Sequence, residues 1–232
     1  MMTRTLLAGL AALAVGASAS ADSISVNFAY VGDGADGTEV NGAAGLTGSA
    51  VWNNYNGDTA PGPMPVDNAA TNALDNNGAA TTADVSWSSQ QTWSNGGGGS
   101  ENQNLLDGYI DDNGALGVNV DVVEIPYAVY DVHVYFNHDG ANGVVGLFDI
   151  DVNGTTHTTT GAFTQPQNGT IDAGNSITVS GLSGNLNLSQ GERGAFDASV
   201  SNISGFEIVE VPEPGSLALL GLGGLALLRR RR

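Results

Sequence analysis

A repeated alternation of apolar and polar residues at period two constrains this chain more than any other feature. Tyr130, Val132, Val134 and Phe136 alternate with Asp131, His133, Tyr135 and Asn137. The same pattern runs through Ile24, Val26, Phe28 and Tyr30, through Val118, Val120 and Val122, and through Phe148, Ile150 and Val152. It returns at Ile177 and Val179, at Leu186 and Leu188, and at Phe206 and Ile208. Successive side chains of a strand point to opposite faces, so each segment offers one apolar face to a core. Asn153-Gly154 follows Val152 at once and suits a two-residue hairpin turn, with Thr155 to Thr160 as the returning strand. No stretch between residues 22 and 211 keeps a helical period over three turns. Glycine supplies 34 of 232 residues, about twice its usual share of roughly 7%, which favours turns over long helices. The expected fold is all-β: an antiparallel, jelly-roll-like β-sandwich. Asn53–Asn77, with Pro61-Gly62-Pro63-Met64-Pro65, and Ser94–Asn104, with Gly96 to Gly99, read as long loops inserted in one domain.

Charge and cysteine content exclude several functions. All 24 acidic residues lie between Asp22 and Glu213, a stretch that holds one basic residue, Arg193. Such a surface repels nucleic acid and suits an acidic, self-repelling extracellular protein. The chain has no Cys, which removes disulfide frameworks, zinc-thiolate and iron–sulfur sites and thiol nucleophiles. It has no Lys, which removes Schiff-base chemistry and a P-loop lysine.

The two ends read as addresses. Arg4, the apolar run Leu6–Val15 and the small residues Ala17 to Ala21 have the layout of a secretory signal peptide over residues 1–21, with cleavage expected after Ala21. At the other end Val211-Pro212-Glu213-Pro214 precedes an uncharged apolar run, Gly215–Leu228, and then Arg229, Arg230, Arg231 and Arg232. A helix of 14 residues is about 21 Å long, short for a hydrocarbon core of about 30 Å. The arginines stay on the cytoplasmic side by the positive-inside rule, leaving the domain outside. The expected layout is a signal helix over 1–21, an ectodomain over 22–210 and a sorting signal with a hydrophobic helix over 211–232.

Pro212, Glu213, Pro214, the apolar run and the terminal arginines resemble the PEP-CTERM sorting signal of Gram-negative bacteria. The resemblance implies export, transient anchoring in the inner membrane, recognition by an exosortase (a membrane-embedded, transpeptidase-like enzyme), and delivery to the cell surface or extracellular matrix. The mature region also resembles an ectodomain type carried by such proteins. The marks are Ser25-Val26-Asn27-Phe28, Val51-Trp52-Asn53-Asn54, Asp75 to Ala80 before Val85-Ser86-Trp87, Leu106 to Asp111, Tyr130 to Tyr135 and Ile203 to Ile208. That resemblance implies a galactose-binding-like jelly roll and carries over no functional residues.

Three kinds of chemistry are candidates in the ectodomain. Asp33 and Asp36, and Asp107, Asp111 and Asp112, place carboxylates in short Gly-containing segments, a supply of oxygen ligands for calcium. Ordinary Asx and Gly turns give the same pattern. Trp52, Tyr55, Trp87 and Trp93 offer aromatic faces for stacking on extracellular polysaccharide; core packing is the competing use of such rings. Trp87 and Trp93 are six apart, which puts both on one face if the strand is continuous, and Trp52 beside two asparagines is the one expected to meet solvent. His133, on a polar strand face, is expected to be solvated. No serine-hydrolase elbow, zinc-protease or phosphate-loop motif occurs. The expectation is a non-catalytic surface protein, structural or polysaccharide-binding; the alternative is a secreted glycan-active enzyme using a pair of its many carboxylates.

Overall fold

The computed structural model describes residues 21–29, 38–56, 66–89, 91–96, 98–111, 117–138, 143–165, 169–190 and 202–212. The elements in chain order are β1 (Ser23–Phe28), β2 (Asn53–Tyr55), β3 (Val66–Ala70), β4 (Asp84–Ser89), β5 (Gln91–Ser94), α1 (Glu101–Asp107), β6 (Gly108–Asp111), β7 (Val118–Val123), β8 (Tyr130–Tyr135), β9 (Asp149–Val152), β10 (Thr155–Thr158), β11 (Ser176–Leu182), β12 (Leu186–Gln190), β13 (Asn202–Ile203) and β14 (Gly205–Glu210). A five-stranded sheet of order β11-β8-β14-β1-β2 packs against a six-stranded sheet of order β10-β9-β12-β7-β4-β3. A small third sheet, β13-β6-β5, adjoins them.

The alternation read from the sequence becomes the core. Ile24, Val26 and Phe28 of β1, Val132 and Val134 of β8, and Phe206 and Ile208 of β14 meet Val85 and Trp87 of β4, Val118, Val120 and Val122 of β7, and Leu186 and Leu188 of β12. Phe136 stacks on Phe148 at 5.0 Å between ring centres, and Phe163 meets Phe148 edge-on at 5.3 Å. The hairpin at Asn153-Gly154 forms as expected: both residues have positive φ (50° and 82°), the backbone that turn demands.

Four expectations are corrected. The segment Asn53–Asn77 contains β2 and β3. The triplet β2 runs parallel to β1, with Val26 opposite Asn53 and Phe28 opposite Tyr55. Its asparagines fix it: Asn53 donates to the Ser25 and Leu74 carbonyls at 2.9 and 3.0 Å, and Asn54 accepts from Asn27 at 2.9 Å and from the Val40 N–H at 2.9 Å. Strand β3 is poor in β-formers and is held by its pairing with β4, Val66 opposite Ser89 to Ala70 opposite Val85.

The segment Ser94–Asn104 runs into a helix of two turns. Ser100 caps it, its hydroxyl accepting from the Gln103 N–H at 3.3 Å. Ser100 and Gln103 have the spacing of a capping box.

Strand β1, read from its alternation as offering one apolar face to a core, is buried on both faces, and so is most of β14. A second cluster of Val40, Ala44, Trp52, Leu105, Leu106 and Tyr135 covers the side facing away from the main core. Finally, Trp87 and Trp93 do not share a strand: one belongs to β4 in the six-stranded sheet, the other to β5 in the small sheet.

The expected signal helix and C-terminal apolar helix lie outside the described residues. Among the described residues no helix is long and apolar enough to cross a membrane.

Candidate functional site

The site with the clearest chemistry is the junction between the sheet and the C-terminal tail. Strand β14 is the middle of the five-stranded sheet, paired antiparallel with β1 on one side and β8 on the other. Both pairings persist to its last residues. Val209 lies between Ser23 and Asp131, and Glu210 lies opposite Tyr130. The Glu210 N–H donates to the Asp22 carbonyl at 2.8 Å, and the Val211 N–H donates to the Val129 carbonyl at 3.0 Å. Pro212 comes next and has no N–H, so ladder donation stops there for a chemical reason. Asp22, the residue after the expected signal cleavage point, is thus bonded to the last residue of the final strand. The first and last described segments of the sandwich therefore lie side by side at one end of the sheet.

Residues 210–232 match the PEP-CTERM protein-sorting motif. The PEP-CTERM match marks an exported protein that is processed by an exosortase-type system, with a C-terminal anchor that is cleaved. It covers the tail and the last residue of β14, and leaves the rest of the β-sandwich outside it. No curated protein matches the chain. Of the expected sorting residues, Pro212 is exposed at the end of the described chain. Glu213, Pro214 and Arg229 to Arg232 lie outside the described residues.

A second constellation sits on the outer face of the same sheet. Glu207, on β14, is fully buried at 0% exposure. Its carboxylate accepts from the Tyr135 hydroxyl, from the Thr47 hydroxyl and from the Leu46 N–H at 3.0 Å. The Leu46 N–H also reaches the Tyr135 oxygen at 2.8 Å. Gly45 has φ +78°, and a Cβ there would lie 2.6 Å from the Glu207 carboxylate, so the 44–49 turn requires glycine at this point. Burial, with Glu207 second, pushes the Tyr135 hydroxyl far above the usual phenol range. The neighbouring His133 is moved the other way: burial lowers its pKa while Glu207 and Asp131 oppose the shift. It is half-buried, its Nδ1 2.8 Å from the Thr178 hydroxyl, rather than freely solvated. Nothing in the alternation pattern flagged Glu207; a carboxylate placed among Phe206 and Ile208 in the last strand was the available signal.

The expected calcium ligands are placed as follows. Asp107 ends α1 and Asp111 ends β6, and both are buried. Burial raises the Asp107 pKa to about 6, with a Gln103 hydrogen bond acting in the opposite direction, and its Oδ2 is buried without a partner. Asp33, Asp36 and Asp112 lie outside the described residues. Among the described residues no three His, Asp or Glu side chains form a metal-binding group.

The aromatic residues are not brought together as one platform. Trp52 is 7% exposed, with its indole N–H donating to the Ser49 carbonyl at 2.8 Å, so it packs in the second core. Trp87 is buried between Phe28 and Tyr55, the latter stacked on it at 5.1 Å. Trp93 alone of the three tryptophans faces solvent, 46% exposed on β5, the edge of the small sheet. A cleft of about 470 Å³ is lined by Thr158, Thr160, Ser176 and Thr178 with His157 and Asp172, and by the apolar side chains of Leu46, Ile171 and Ile177.

Proposed function

We propose that this is a non-catalytic surface protein: a β-sandwich with galactose-binding-like jelly-roll character, displayed at the cell surface or in the extracellular matrix by exosortase processing, where it binds polysaccharide. The sorting motif carries this reading, because it makes the ectodomain the cargo. The acidic surface then bears on the ligand. A chain with 24 acids and 6 basic residues, 4 of them in the terminal block, repels anionic polymers and favours neutral ones unless calcium bridges the two. Trp93 supplies an exposed flat ring on a sheet edge, the geometry that sugar stacking uses. The buried carboxylate Glu207 is sealed under the 44–49 turn and offers no proton to a substrate.

Two experiments test the parts. Replacing Pro212, Glu213 and Pro214 together by Ala leaves the precursor membrane-bound and uncleaved in a host with the enzyme; normal maturation of that variant removes the sorting reading. The mature protein is retained by neutral polysaccharide in pull-down, with calcium and with chelator run in parallel, and W93A loses retention. Equal retention of W93A removes the binding surface.

A further inference from the structure

The geometry points to folding of the ectodomain as the event that closes the processing site: the residues just before Pro212 are built into the centre of a sheet, so the exosortase-type enzyme acts before β14 closes or after its end reopens. This rests on the reading of residues 210–232 as a processed signal.

A peptide-cleaving enzyme takes its substrate as an extended chain whose main-chain groups are free for the enzyme. Folded segments are cut through locally opened states, at a rate set by how often they open. Here the chain on the domain side of Pro212 has no free length. The N–H groups of Glu210 and Val211 are both engaged, at 2.8 and 3.0 Å, with different neighbouring segments. Val209 is paired on both sides. On the far side, only Pro212, Glu213 and Pro214 separate Val211 from the apolar run that starts at Gly215. Three extended residues span about 10 Å, which leaves no spacer that could reach a membrane-embedded active site while the sheet stays whole. The topology supplies the interval in which cleavage is open. Strand β14 comes last in the chain yet lies between β1 and β8, so it inserts only after the rest of the domain has been exported.

The test follows maturation of the full-length precursor by pulse-chase in a host that carries the exosortase-type enzyme. One variant inserts Gly-Ser-Gly-Ser between Val211 and Pro212, which frees the scissile region without touching the sheet. The other is V129C/V211C. These positions face each other across the pair, and opposed Cα atoms in antiparallel strands lie about 4.5–5.5 Å apart, within disulfide reach. The chain has no other Cys to mispair with. The insertion is expected to speed cleavage on the order of tenfold or more, since two strand-end hydrogen bonds no longer have to open. The disulfide form is expected to be cleaved at least tenfold more slowly than the wild type, with the wild-type rate restored by reductant. Equal rates for the three chains overturn the proposal while leaving the processing reading intact. No cleavage of any chain, alongside normal cleavage of a control substrate with another ectodomain, overturns the processing reading itself.

Discussion

Removing the Tyr135 hydroxyl tests whether the buried carboxylate of Glu207 is held by fixed donors. In the Y135F variant Glu207 loses the hydroxyl that donates to its Oε2, and the Leu46 N–H loses one of its two acceptors. The ring stays, so packing of the second core is nearly unchanged. A hydrogen bond to a charged group contributes about 1.5–3 kcal/mol, and a fully buried carboxylate has no water to replace it, so the cost is expected at about 2–3 kcal/mol. For a domain of this size that lowers Tm by roughly 4–12 °C. The loss is local first. Hydrogen exchange at the Leu46 and Thr47 amides quickens more than at amides of β7 or β12, because the 44–49 turn is what the carboxylate pins. T47V removes the other hydroxyl on the same group, and the double variant costs more than the two single changes together by at least about 0.5 kcal/mol, the sign of donors sharing one charge. A Y135F protein within about 0.5 kcal/mol of the wild type, with Leu46 protection unchanged, would show that the carboxylate does not depend on this donor.

Three further outcomes are expected. Asp107 is held neutral to higher pH in the folded chain, to about 6 against its ordinary 3.8, so the folded state binds more protons between pH 4 and 6 and stability falls as pH rises through that window; D107N melts a few degrees above the wild type at pH 7 and level with it near pH 4, and identical melting profiles over that range would contradict this. Burial pushes the hydroxyl of Tyr55 up to about 12 and those of Tyr127, Tyr130 and Tyr135 upward as well; above about pH 10 the unfolded chain releases protons that the folded chain keeps, so stability drops with rising pH and phenolate absorbance is expected to appear together with loss of the β-sheet circular dichroism signal. W93A leaves stability within about 0.5 kcal/mol, whereas W52F, which deletes the bond to Ser49, costs about 1 kcal/mol and loosens the 44–52 segment in hydrogen exchange; the reverse order would mean that the two rings have been assigned to the wrong environments.

The local code was readable where it was strong. Alternation of Tyr130 to Phe136 and Val118 to Val122 placed β8 and β7, and Asn153-Gly154 placed a hairpin, because strand pleat and turn backbone are set by a few adjacent residues. The helix α1 was equally local, through Ser100 and Gln103, but two turns are too few to show a period. Residues whose role depends on a distant partner were not readable. Trp52 beside two asparagines looks solvent-facing until Ser49 and the second core close over it. The same asparagines look like loop until they bind β1 and the segments around Val40 and Leu74.

Contiguous residues carry the C-terminal sorting address, matched over residues 210–232, and the identity of most strands, because each is written in neighbouring side chains. Tertiary structure alone decided that β14, last in the chain, is the middle of its sheet; that β2 lies parallel to β1; that Glu207 is sealed beneath a turn 160 residues away from it; and that one tryptophan of three meets solvent. The reason is that a strand's faces are fixed by its own alternation, whereas its neighbours are chosen by which apolar faces can be buried together across the whole chain.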